Sequence, residues 1–260
     1  MVSLRQGTKI GSIPWYSYTG TYVCSDPTTG NAFIPQSNGI GEYAHGATSP
    51  SATLSVSGYY IDGGCSVDPT TGNLAQVVVT KGRRAKPAVL IYSPGQSTAT
   101  PYTDKRVQSF RYPAYDDAGN LFVTAFVKGL AHRITELPAG KSAFELVTIP
   151  SNDSLVTKIQ WVGSELALDL HDDSGNDAIE RIKISGGAAT LVGTARLLHA
   201  PGWYFWIQGG QVVGLYAKVR RHNDKAVAIW EYPKGGIPSA KYYGMTRWRK
   251  DNVYDVTVSR

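Results

Sequence analysis

The chain has 260 residues, 42% of them hydrophobic and 18% charged, with 28 glycines, 14 prolines, two cysteines and a formal net charge of +6. That length suits one large closed domain or two smaller ones, and the Gly and Pro content favours many short strands joined by tight turns. No apolar run reaches the ~18 residues of a membrane-spanning helix, which excludes such a span. Met1 to Gly7 also lack the apolar core of a secretory signal.

In chain order, Val2 to Arg5 and Lys9 to Ile13 are β-prone and stand before the first complete unit. Tyr22-Val23-Cys24-Ser25 then runs into Asp26-Pro27-Thr28-Thr29-Gly30-Asn31, whose Pro and Gly reverse the chain. Ala32 to Ile34, Ile40 to Ala44 and Ala52 to Val56 complete a four-stranded unit. The same hexapeptide returns at Asp68 to Asn73, a degenerate copy at Asp116 to Asn120, and worn copies at Gly163-Ser164-Glu165 and Gly209-Gly210-Gln211. Counted from Asn31 through Asn73, Asn120 and Glu165 to Gln211, the spacings are 42, 47, 45 and 46 residues. This is the period of a propeller blade.

Third strands are predicted at Val89 to Tyr92, Arg133 to Leu137, Ile179 to Ile184 and Val227 to Tyr232, and fourth strands at Thr98 to Thr103, Phe144 to Ile149, Thr190 to Leu197 and Lys241 to Met245. The sequence thus reads as one all-β domain over 1–260, with blades at 20–56, 62–104, 109–150, 156–197 and 202–245. Residues 2–13 and 253–259 supply a sixth blade with three recognisable strands, either a short blade or one whose missing strand lay upstream of Met1, so that strands from both termini close the ring and satisfy its edges. The two cysteines fall in different columns of the aligned repeat, which predicts two buried free thiols.

The Asp, Gly and Asn before an apolar strand, followed by a strand ending in Tyr-Pro-x-Gly or Leu-Pro-x-Gly, resemble the NHL-type and gluconolactonase-like six-bladed β-propellers, especially repeat proteins of soil bacteria. Resemblance to the lactonases implies a divalent metal in the central channel, held by several oxygen ligands, and a carboxylate base. The first strands that would line that channel offer Tyr22, Arg111, Tyr112, Lys158, Gln160, Tyr204 and Tyr254, with Asp62 and Asp255 near their ends, so the ligand set is missing. A streptogramin-lyase-like site would need a histidine paired with a glutamate, and no spacing ties His132, His171, His199 or His222, all read as loop residues, to such a partner. No catalytic residue is assigned. One loop, with Asp169, Asp172, Asp173 and Asp177, has the oxygen ligands for Ca2+ but not the spacing of a helical calcium loop, and a solvated turn accounts for it as well.

Charge is more informative. Loops from second to third strands, and from one blade to the next, share one face of the disc and hold more than half of the 26 Lys and Arg residues. Arg83, Arg84, Arg106, Arg220, Arg221, His222, Arg247 and Arg249 are its candidate ligand-binding groups, with Tyr59, Tyr60, Trp203 and Trp248 as stacking surfaces. Three functions stay open: a non-enzymatic binding module for an anionic ligand, glycan or protein; a metal-dependent hydrolase or lyase; and a scaffold subunit of undetermined oligomeric state. Nucleic acid is an admissible partner, although no nucleic-acid motif is present. The low charge and the abundance of Ser, Thr, Gly and Tyr favour an extracellular or periplasmic surface, while the N-terminus leaves two readings open, a cytoplasmic protein or one whose leader this sequence does not carry.

Overall fold

The computed structural model describes residues 22–149, 155–171, 177–198, 205–217 and 225–242, and among these every regular element is a β-strand. The first sheet comprises β1 (Cys24–Ser25), β2 (Ala32–Gln36), β3 (Gly39–Tyr43) and β4 (Ala52–Leu54). The second comprises β5 (Tyr59–Val67), β6 (Leu74–Thr80), β7 (Pro87–Tyr92) and β8 (Thr100–Tyr102), and the third β9 (Val107–Tyr115), β10 (Leu121–Val127), β11 (Ala131–Leu137) and β12 (Glu145–Val147). The fourth comprises β13 (Leu155–Val162), β14 (Glu165–His171), β15 (Asp177–Ser185) and β16 (Ala188–Leu197), and the fifth β17 (Phe205–Gln208), β18 (Gln211–Ala217), β19 (Lys225–Glu231) and β20 (Gly235–Tyr242). Each is an antiparallel meander in chain order, and a parallel bridge at Leu197 and Gly236 links the last two. Val2 to Ile13 and Val253 to Val258, the strands expected to close a sixth blade, lie outside the described residues.

Packing follows from the alternation of side chains along a strand. On β6, Leu74 and Val78 face the first sheet while Ala75 and Val77 face the third. On β14, Leu166 and Leu168 face the third sheet while Ala167 faces the fifth. Every internal sheet is therefore buried on both faces, which is why its middle strands read as nearly unbroken apolar runs such as Leu121-Phe-Val-Thr-Ala-Phe-Val127. Four apolar clusters fill the four interfaces between consecutive sheets, each drawing on two neighbours.

The DPTTGN segments are turns built by the aspartate. Thr28 N–H donates to Asp26 Oδ1 at 2.7 Å, Thr29 Oγ1 donates to Oδ2 at 2.5 Å, and Gly30 N–H donates to the Asp26 carbonyl at 2.9 Å. Asp68 repeats the arrangement with Thr70, Thr71 and Gly72, and Gly72 has φ = 74°, where a Cβ would be strained. Asp116 keeps the design with different partners, accepting from Ala118 N, Asn120 N and Asn120 Nδ2.

The last fourth strand differs from expectation. The repeat pattern predicts its start at Lys241, after a Pro-Lys-Gly-Gly turn, whereas β20 begins at Gly235. Gly235 pairs with Glu231 at positive φ, so the hairpin closes within three residues and the glycines become strand.

The cysteines also differ from expectation: Cys24 and Cys65 form a disulfide across 41 residues, with Cα atoms 5.7 Å apart. Their different columns, read as keeping them apart, are what brings them together. In a ring of blades the front face of one packs on the back face of the next, so residues in opposite columns of adjacent first strands are the ones that meet.

Candidate functional site

The two loop classes do separate onto opposite faces. Lys81 N–H donates to the Gly58 carbonyl and Lys128 N–H to the Arg106 carbonyl, tying second-to-third-strand loops to the connections between blades. On the other side Ala139 N–H donates to Asn120 Oδ1 and Tyr232 N–H to the Gly210 carbonyl, joining the turns to the third-to-fourth-strand loops.

On the first face, the β6–β7 loop exposes Lys81, Arg83, Arg84 and Lys86. The Lys81 ammonium lies 5.3 Å from the centre of the Tyr60 ring, which is 58% exposed. Tyr59 is turned inward and packs against the interface between the first two sheets. Arg106 is committed to structure: its guanidinium makes a two-pronged contact with Asp104, closest at 2.6 Å, and donates to the Phe144 carbonyl at 2.8 Å. The hydrogen bond from Arg106 to the Asp104 carboxylate holds that carboxyl below the usual carboxylate range. Arg106 is thus held in place by Asp104 and the Phe144 carbonyl while its side chain stays half exposed. Trp203, Arg220, Arg221, His222, Arg247, Trp248 and Arg249 lie outside the described residues.

The proposed calcium loop is only partly described. Asp169 is not in a turn: it is a β14 residue paired with Ile179 and only 3% exposed. Asp177 opens β15, opposite His171 and Leu197, and Asp172 and Asp173 lie outside the described residues. Among the described residues no three His, Cys, Asp or Glu side chains gather as a metal site. Two histidines read as loop residues belong to strands: His171 ends β14, and His132 lies in β11 with its ring 3.7 Å from the Phe126 ring centre. Burial first, then the charge of Arg111, lowers the His132 pKa.

The first strands of the five sheets surround an axial cavity of about 170 Å³. Its wall holds Tyr22, Tyr112, Lys158 and Gln160, as expected from the sequence, together with Trp161 and Trp206. Gly64 stands where the first and third sheets carry Tyr22 and Tyr112, and a Cβ there would press on the Tyr112 ring at 3.0 Å. Gln160 is fixed by reciprocal bonds to the next first strand, accepting from Ile207 N–H at 2.8 Å and donating to its carbonyl at 2.6 Å. Arg111 stays out of the wall and faces Asp62 at 4.0 Å, and burial outweighs Arg111 in raising the Asp62 pKa. Tyr204 and Tyr254 lie outside the described residues. Trp206 could have been read from the strict alternation of Phe205-Trp206-Ile207-Gln208, in which it faces opposite to the buried Phe205 and Ile207.

No known family's sequence signature matches the chain, and no curated protein matches it. Among solved structures it is similar to a TolB from Agrobacterium tumefaciens, at 12% identity and TM-score 0.60, covering 83% of this chain and 78% of that one. TolB from Acinetobacter baumannii follows at 14% identity and TM-score 0.53, covering 81% of this chain and 51% of the other. The WD40 repeats of RRP9 align at 12% identity and TM-score 0.57, covering 87% and 64%. With the successive four-stranded meanders and the axial cavity, these likenesses define the fold as a β-propeller. They extend to fold alone.

Proposed function

We propose that the chain is a non-enzymatic β-propeller binding module that engages an anionic macromolecule or glycan through its basic loop face. The observation that carries this reading is the exposed β6–β7 loop, which presents Lys81, Arg83, Arg84 and Lys86 to solvent and sets Lys81 over the open ring of Tyr60. Guanidinium and ammonium groups bind sulfate, phosphate or carboxylate, and the adjoining ring supplies a surface for stacking. The Asp-Gly-Asn turns favour an NHL-type arrangement of six blades within the propeller class. The Cys24–Cys65 disulfide favours an oxidising compartment outside the cytoplasm.

The test is retention on a sulfated polysaccharide matrix across a salt gradient. The double variant Arg83→Glu, Arg84→Glu should elute at markedly lower salt than the wild type with an unchanged thermal midpoint, since both side chains are exposed. Unchanged retention would rule out a ligand-binding role for this loop.

A further inference from the structure

We propose that the basic loop is one end of a strip crossing the second and third sheets, and that a sulfated polysaccharide lies along it; this rests on the basic face being a binding surface, as read above. Three segments make the strip. The β6–β7 loop holds four cations in the six residues from Lys81 to Lys86, all of them exposed. The connection from β8 to β9 carries exposed Lys105 next to Arg106, and the β10–β11 loop carries exposed Lys128. Lys128 N–H donates to the Arg106 carbonyl at 2.9 Å, which joins the connection to the third sheet's loop. Because the same connection starts on the outer strand of the second sheet, it stands between the two loops.

The charge of the strip is open to an incoming anion. Asp104 is the one acid in the three segments, and Arg106 neutralises it. Among the described residues Arg83, Arg84, Lys86, Lys105 and Lys128 form no ion pair. Acids of the same three sheets gather at the other end of the blades, where Glu42 accepts from Asn31 at 2.8 Å and Glu136 stands opposite Glu145. A polyanion is therefore steered to the strip and kept off the turn face.

Charge density and the scarcity of rings select the occupant. Short segments this rich in Lys and Arg are patches for heparin-like polymers or nucleic acid. Single-stranded nucleic acid stacks successive bases on a row of aromatic side chains. Among the described residues the one large exposed ring is Tyr60, and the Lys81 ammonium lies 5.3 Å from its centre. Four cations in six residues also outnumber the charges of a uronate polymer, which has one carboxylate per sugar, whereas a sulfated chain carries more.

The test is calorimetric titration of the full chain with heparin fragments of increasing length, against polygalacturonate and single-stranded DNA of matching length. Affinity should rise with fragment length and then level off, and heparin should bind tenfold or more tighter than either alternative. The double variant Lys105→Glu, Lys128→Glu should weaken long fragments about tenfold, leave the shortest unchanged, and make the fall of affinity with salt shallower. Both sites are exposed, so its thermal midpoint should match the wild type; should reversal prevent folding, Lys105→Gln, Lys128→Gln tests the same contacts with a smaller loss. Affinity independent of length, or a loss with Arg83→Glu, Arg84→Glu and none with the Lys105 and Lys128 pair, would overturn the strip and leave the basic-face reading standing. No loss with either pair would overturn both. Equal or tighter binding of polygalacturonate or DNA would overturn the sulfated polysaccharide as occupant.

Discussion

The first three sheets and the last two build the same meander by different means. In the first three, an aspartate side chain organises the first turn and a long loop precedes an outer strand of only 3 residues. In the last two, glycine at positive φ shapes the turns without an aspartate: Gly163 at 63° in the first turn of the fourth sheet, Gly209 and Gly210 at 58° and 72° in the first turn of the fifth, and Gly186 and Gly187 at 57° and 74° between the third and fourth strands of the fourth. The outer strands there run to 10 and 8 residues. Paired positive φ angles match the twist of the flanking strands, so those hairpins need no side-chain help. A turn held by side chains can be lost by one substitution on its surface, and a turn held by backbone geometry only by adding a Cβ.

The strongest probe of this contrast is the disulfide, which ties the first two sheets. Replacing Cys24 and Cys65 with serine should cost about 3–4 kcal/mol for a closed loop of this length. Limited proteolysis should then cut the first sheet well before the last two. Simultaneous cleavage throughout would show that the blades unfold as one unit.

Next in size, Asp68→Ala removes the acceptor of its side-chain turn bonds to Thr70 and Thr71 and should destabilise by about 1–2 kcal/mol. Ser164→Ala, at the corresponding exposed turn of the fourth sheet, should change stability by less than about 0.5 kcal/mol. Equal losses in chemical denaturation would erase the distinction between the two turn types.

A weaker signature is a pH dependence. Asp104 beside Arg106 and Glu165 beside Arg181 both have folded-state pKa values below the ordinary carboxylate range, chiefly through those hydrogen bonds. Each contributes stability above its unfolded pKa and loses it as pH falls through the lower folded value. Glu180, whose pKa burial raises, runs the other way: its contribution is present below its unfolded pKa and is lost as pH rises through the folded one. Glu180→Gln should therefore raise the melting temperature slightly at pH 7 and have little effect near pH 3. Asp104→Asn should lower the unfolding free energy at pH 7 by no more than about 1 kcal/mol, given that Arg106 is half exposed.

The repeat, the strand order and the two loop faces are all legible in the amino-acid sequence. Turn chemistry and two-residue alternation are local, and Asp, Pro, Gly and Asn carry them at regular positions. Part of the axial wall is legible too, since Tyr22, Tyr112, Lys158 and Gln160 lie on first strands. Contacts between blades, in contrast, emerge only once the sheets are packed. Cys24 and Cys65, the Gln160–Ile207 clamp and the approach of Lys158 to Trp206 all join residues that are adjacent only because one sheet's front packs against the next sheet's back. Arg106 shows the same limit at the surface: a basic loop residue by pattern, it is spent on Asp104 and a carbonyl 38 positions away. Pairings across such distances depend on how the blades are set around the axis, which no window of sequence contains.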